Sequence, residues 1–266
     1  LTYFIAHAPN ELEKARFSAE KERSIGLGAM GFHAYLQRHN IPFESAMAKG
    51  RNMAMFWHIK SGAETASRNL ALERGEAPDA QGTGMRNCHL LAIAPNASSS
   101  IICGNTSPSI EPYRANAYTQ KTKSGTSLQK NEYLEDLLRD LGMDTDEVWK
   151  SIVTNGGSVA HLEFLDDWTK DVFKTAVEID QRWVIDMASD RQKHICQSQS
   201  LNVFFPADVS KMELHAIHMQ AWKQKVKTLY YLRSEAYKRA EKVSDEALRQ
   251  QIFESMDENA CLSCEG

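Results

Sequence analysis

The sequence predicts an α/β fold with largely parallel strands. Short apolar runs at Cys88–Ala94 (CHLLAIA), Ser200–Phe205 (SLNVFF) and Val226–Leu232 (VKTLYYL) read as buried strands. The stretches between them carry helical patterns, and strands that alternate with long helices favour a parallel sheet. Beyond them, from Ser234 to Gly266, the chain is charged and its large apolar groups thin out to Leu248, Ile252 and Phe253. That composition reads as a solvated, flexible tail. The expected organisation is therefore a folded part at 1–233 and a tail at 234–266.

In chain order, Glu11–Glu22 reads as a polar helix, and a break follows near Pro42. Ser45–Arg74 reads as a long helix presenting Met47, Met53, Phe56, Ile59, Ala63, Ala66 and Leu70, with Gly75 as its stop. After the strand at Cys88–Ala94 comes a loop rich in Ser, Asn, Gly and Pro, from Pro95 to Pro112. Helices are expected at Glu132–Leu141 and Phe164–Met187, then the second strand. A helix at Lys211–Val226, with Leu214, Ile217, His218 and Trp222, leads into the third strand.

The 266 residues carry 31 Lys+Arg against 35 Asp+Glu, a formal charge of −4. That balance argues against a nucleic-acid binder, which needs a basic excess to displace counterions. No run approaches the roughly 18 apolar residues of a membrane span. Five cysteines, an odd number, do not suit a secreted disulfide scaffold. With no basic-then-apolar leader, the expected location is cytoplasmic.

Four motifs invite a chemical reading, and the first does not sustain it. Gly26–Gly31 (GLGAMG) matches G-x-G-x-x-G, but the preceding Ala19–Ile25 is too charged for a buried first strand. We read these small residues as a close approach of two helices. Pro95–Ser100 (PNASSS) follows a strand directly, so free backbone N–H groups and Ser hydroxyls there form a potential phosphate cradle, more so if a helix begins there. A plain capped loop is the alternative. Tyr230 and Tyr231 sit in a strand-like run, where adjacent side chains point to opposite faces. If both rings serve one function, either the backbone there is irregular or both rings reach round to one path; otherwise the pair is ordinary core or face-filling. Cys261 and Cys264, in C-x-x-C near the end of the tail, suit a redox dithiol better than half a zinc site, because no second cysteine pair exists. Cys88, Cys103 and Cys196 read as small buried residues, and the histidines form no metal-binding set.

Taken together, the strings Arg23–Gly31 (RSIGLGAMG), Met85–Ser100, Gly104–Pro112 (GNTSPSIEP), Asp190–Asn202 (DRQKHICQSQSLN), Lys227–Arg233 (KTLYYLR) and the closing C-x-x-C occur in one order across nearly the whole chain. In that order the chain resembles the large, catalytic subunit of class I ribonucleotide reductase. The resemblance implies the C-terminal part of a ten-stranded α/β barrel with long helices, plus a flexible tail. It implies that Asn96, Ala97, Ser98, Ser99 and Ser100 hold the diphosphate of a ribonucleoside diphosphate. Tyr230 and Tyr231 would stack and relay a radical, and Cys261 and Cys264 would re-reduce the active-site disulfide before being reduced by thioredoxin or glutaredoxin.

The resemblance further implies a small, radical-generating subunit with a metal and tyrosyl-radical cofactor, while this chain binds no cofactor or metal itself. Allosteric nucleotides would bind outside this segment, and the enzyme would be an oligomer. Helix Lys211–Val226 would be the dock for the small subunit's tail, or simply core. The family's thiyl-radical cysteine, its neighbouring Glu and Asn, and its redox cysteine pair have no counterpart in the quoted strings, and the chain begins at Leu1. The expectation is a piece that works with a separate N-terminal portion, or a truncated chain. A non-catalytic interaction module is one rival. The adenosylcobalamin-dependent branch of the superfamily is another, and it needs no tyrosine relay.

Overall fold

The computed structural model describes residues 1–122 and 125–234. Within them the chain runs α1 (Thr2–His7), α2 (Glu13–Glu22), α3 (Phe32–Arg38), α4 (Ala46–Arg74), α5 (Ala97–Ile102), the antiparallel hairpin β1 (Ala117–Thr122) and β2 (Gly125–Lys130), α6 (Glu132–Asp140), α7 (Asp146–Thr154), α8 (Asp167–Val172), α9 (Gln181–Gln192), β3 (Val203–Phe205), α10 (Lys211–Lys223) and β4 (Leu232–Ser234).

A wall of parallel backbone organises these elements. The N–H groups of Ile25 and Leu27 donate to the carbonyls of His89 and Leu90, and Leu27 bridges Leu91 in parallel. Ile93 bridges Gln199 in the same sense, and β3 pairs in parallel with β4, Val203 opposite Leu232. The order across the wall is thus the order along the chain. Each parallel step requires a crossover, supplied in turn by α3–α4, by the segment α5–α9 and by α10.

Two of the three expected strands lie in this wall where the sequence placed them. The third is displaced: Lys225 turns the chain at φ +60, Val226 and Leu229 pack on the core, and pairing starts only at Tyr230.

The glycine string is a correction. It belongs to the first segment of the wall, not to a helix–helix contact. A Cβ on Gly28 would lie 2.6 Å from the Ala92 carbonyl oxygen, so two backbones meet there with no room for a side chain. Gly28→Ala is expected to lower stability by about 1–3 kcal/mol through this overpacking. Denaturant unfolding measures it, and an unchanged midpoint would show that the wall parts freely.

α4 begins and ends as expected. Ser45 Oγ accepts the N–H of Ala48 at 3.1 Å, and Gly75 stops the helix at φ +79. Its buried face differs, however. Ala48, Asn52, Phe56 and Ser67 face inward with Met55, Ile59 and Ala63, while Met47 and Met53 are 49% and 44% exposed. Two polar residues on the inner face misled an apolar count. Both are paired: Asn52 Nδ2 donates to the Met187 carbonyl at 3.0 Å, and Ser67 Oγ donates to Asn87 Oδ1 at 2.8 Å.

The expected helix Phe164–Met187 is two helices, because Asp166 caps α8 and Asp180 caps α9 through their side chains. The expected loop Pro95–Pro112 contains α5. α10 ends at Lys223, and Trp222, expected on its apolar stripe, is 71% exposed. α3 falls within 10–75, a region read as helical, whereas α1, α7 and the hairpin β1–β2 were not foreseen.

Two apolar cores result. One lies around the wall, α3, α4, α9 and α10; the other joins β1, α6, α7 and α8 around Leu134, Leu138, Trp149 and Phe173. Among the described residues no helix is long and apolar enough to cross a membrane.

Candidate functional site

The wall segment ending at Ile93 leads through Pro95 to Asn96, whose φ of +52 turns the chain into α5. No side chain caps this helix. Its first-turn N–H groups, on Ala97, Ser98 and Ser99, have no acceptor within the helix. The side chains of Ser98 and Ser99 are exposed beside them, whereas Ser100 is buried and its hydroxyl donates to the Ala97 carbonyl at 3.1 Å. Donors therefore gather on the Ala97–Ser99 side, where the helix dipole favours an anion. The start of α3 behaves differently. Ser107 and Ser109 engage the N–H groups of Gly31, Phe32 and Ala34, so these donors at the start of α3 are already taken.

Tyr230 and Tyr231 meet. Their ring centroids are 4.1 Å apart at 49°, and the Tyr230 hydroxyl donates to that of Tyr231 at 3.3 Å. Both are partly open, 48% and 40% exposed. The bond from Tyr231, and then its charge, push the Tyr230 phenol above its ordinary range. Arg233 lies over the Tyr231 ring, its guanidinium carbon 4.6 Å from the centroid. Adjacent residues in a regular strand could not stack this way. Here the Tyr230 N–H bonds the Leu201 carbonyl, but the Tyr231 N–H turns to the side-chain Oδ1 of Asn202 at 3.0 Å. The Val203 N–H in turn bonds the Tyr231 carbonyl, so the backbones of two successive residues face the β3 segment, an irregularity of the strand.

A carboxylate that sequence reasoning did not single out stands behind Asn202. Glu111 is 2% exposed and accepts the Asn202 N–H at 3.3 Å. Burial pushes its carboxyl up to about 7, against the bonds from Asn202 and the nearby charges of Arg114 and Arg233. The signal available in the sequence was one carboxylate inside the otherwise uncharged run Ser107–Pro112.

Cys261 and Cys264 lie outside the described residues. The other cysteines are not the buried residues expected: Cys88 is half-buried, and Cys103 and Cys196 are exposed. Cys196 Sγ accepts the N–H groups of Leu90 and Leu91 at 3.1 and 3.3 Å, fastening its loop to the wall. Burial, with Asp79 and Glu22, pushes the Cys88 thiol up, away from the reactive thiolate. Among the described residues no group of three or more His, Cys, Asp or Glu could hold a metal ion.

A family model described as "Ribonucleotide reductase, barrel domain" matches residues 1–83 and 78–232. The chain belongs to the ribonucleotide reductase family. The parallel wall is thus a sector of that barrel. The ribonucleoside-diphosphate reductase large subunit of Invertebrate iridescent virus 6 is 52% identical over 92% of this chain, which covers 26% of that relative. A putative large subunit from Frog virus 3 is 49% identical over 94% of the chain and 43% of its own length. Among solved structures, the Actinobacillus ureae class Id ribonucleotide reductase alpha subunit superposes with a TM-score of 0.83 at 39% identity, over 90% of this chain and 45% of that one. The chain therefore spans less than half the length of each of these reductase relatives.

Proposed function

We propose that this chain serves as part of a ribonucleoside-diphosphate reductase large subunit and supplies three parts of the apparatus. The observation that carries the reading is the contacting tyrosine pair, rings tilted at 49° and hydroxyls 3.3 Å apart. A phenol can lose a proton and an electron together, and two phenols in contact form a short relay for a radical. The metal and tyrosyl-radical cofactor of a separate small subunit would supply that radical, which one of the two tyrosines receives and shares with the other. The N–H groups of Ala97–Ser99 and the hydroxyls of Ser98 and Ser99 hold the diphosphate, with Asn96 turning the chain and the Ser100 hydroxyl closing the helix behind them.

Reduction replaces the ribose 2′-hydroxyl with hydrogen and releases water, while a dithiol gives up two electrons and becomes a disulfide. Cys261 and Cys264 restore that dithiol by exchange through a mixed disulfide, and thioredoxin or glutaredoxin reduces them in turn. The N-terminal portion of a large subunit completes the barrel, the assembly is oligomeric, allosteric nucleotides bind outside this segment, and the work takes place in the cytoplasm.

The test is ribonucleoside-diphosphate reduction with thioredoxin and a matched small subunit, using this chain alone and then with a separately expressed N-terminal portion. Activity in the mixture only is the expected result. Replacing Ser98 and Ser99 together by Ala should raise KM about a hundredfold or more, because each bond to a charged phosphate contributes about 1.5–3 kcal/mol. A folded complex without turnover would overturn the reading.

A further inference from the structure

Several features outside the three proposed parts could in principle act. The outward faces of α4 and α10 expose Met53, Trp57, Met212 and Trp222, but nothing in the structure shows what covers them. The groups beneath Tyr231 carry more.

The Glu111 carboxyl receives the backbone N–H of Asn202 and also bonds its side chain. With the amide nitrogen of Asn202 turned to the carboxyl, its Oδ1 faces the N–H of Tyr231, 3.0 Å away. The carboxyl thereby fixes which way the Asn202 amide points, and the amide fixes the backbone that brings two adjacent rings to one side. Arg233 lies over the Tyr231 ring, and its buried Nε has no hydrogen-bond partner. The charged groups around the carboxyl are Arg114 from the loop after Pro112, Arg191 from α9 and Arg233 from β4. Tyr231 is the residue whose backbone N–H is held by Asn202, and the tilted Tyr230 ring lies against its ring.

We propose that Glu111, acting through Asn202 and near Arg233, is the positioning residue that seats Tyr231 for radical transfer. The proposal rests on the relay reading of the tyrosine pair and deepens it. Glu111 touches neither ring. It works through the amide it orients, and its ionisation changes how firmly that amide is held and how much of the Arg233 charge is balanced beneath the ring. Burial keeps the carboxyl protonated to about 7, so this change falls within the working pH range of a cell.

The experiment is carbon-13 NMR of the full chain labelled at the tyrosine ring Cζ, with the Tyr231 signal identified by its absence in Tyr231→Phe. The wild-type signal should move between pH 5.5 and 8.5 with a midpoint of about 7. The movement should vanish in Glu111→Gln, whose circular dichroism stays native, and reappear in Glu111→Asp. In Arg233→Gln, which lies at the edge of the site, the midpoint should rise, because a neighbouring cation has been removed. A flat wild-type signal, a movement that survives Glu111→Gln, or an unmoved midpoint in Arg233→Gln would each overturn the proposal. Should Glu111→Gln fail to fold, the wild-type and Arg233→Gln titrations still decide. The signal is read without turnover. Failure of the relay reading, seen as activity in Tyr231→Phe, is thus distinct from failure of the Glu111 coupling.

Discussion

Tyr231→Phe is expected to leave no turnover above background in the reconstituted reductase, with the fold intact. A phenylalanine ring has no proton to release with the electron, so the relay is cut at one of its two members. The structural consequences are small. The ring keeps its place 4.1 Å from Tyr230 and beneath Arg233, and the Tyr231 N–H keeps its bond to Asn202. Only the exposed hydroxyl contact at 3.3 Å is lost, and an exposed bond of this kind contributes at most about 1 kcal/mol. Thermal unfolding should therefore match the parent while activity disappears. Loss of that bond should also let the Tyr230 phenol fall back toward its ordinary range, readable by ultraviolet titration, because Tyr231 is what raises it. Turnover that survives in Tyr231→Phe would remove the relay from the mechanism.

How much of this was legible in the sequence depended on whether local pattern or distant partners decide each element. α4 was read nearly to the residue because Ser45 and Gly75 are local signals. Its inner face was misread because Asn52 is buried by a partner, Arg191, that lies 139 residues along the chain. The helix expected at Phe164–Met187 failed for a local reason: the capping aspartates 166 and 180 outweigh a continuous apolar pattern. The glycine string was read as helix contact because the charged residues before it belong to α2, leaving too short a paired segment for any period to register. In the site, the Ser-rich turn and the Tyr pair were visible as motifs. Glu111 was not, because its meaning comes from Asn202, which sequence distance hides.

Acid should unfold the chain through His33. This residue lies on α3, fully buried, with its ring edge-on to Phe43 at 5.5 Å and beside Tyr113. Nδ1 accepts the Tyr113 N–H at 2.9 Å, so the neutral ring carries its proton on Nε2. A second proton on Nδ1 would set donor against donor inside the core. Burial lowers this imidazole to about 3, with the Val172 carbonyl opposing only in part. A folded value below the ordinary 6.5 means that the unfolded chain binds the proton first. The stabilisation is complete above 6.5 and is lost as pH falls toward 3, by about 4–5 kcal/mol in all.

Glu111 acts with the opposite sign. Its value is raised from 4.5 to about 7, so its contribution is present below 4.5 and is lost as pH rises through 7. Between pH 4.5 and 6.5 the two slopes, each about 1.4 kcal/mol per pH, oppose one another and nearly cancel. His194, slightly buried and also lowered, adds weakly on the side of His33. Denaturant unfolding of the parent across this window should therefore be almost level. His33→Asn, which keeps an acceptor for Tyr113 without the titrating ring, should become less stable as pH rises through it. Glu111→Gln should become more stable over the same interval. Parallel curves for the parent and His33→Asn would show that His33 does not carry the acid sensitivity, whatever its burial.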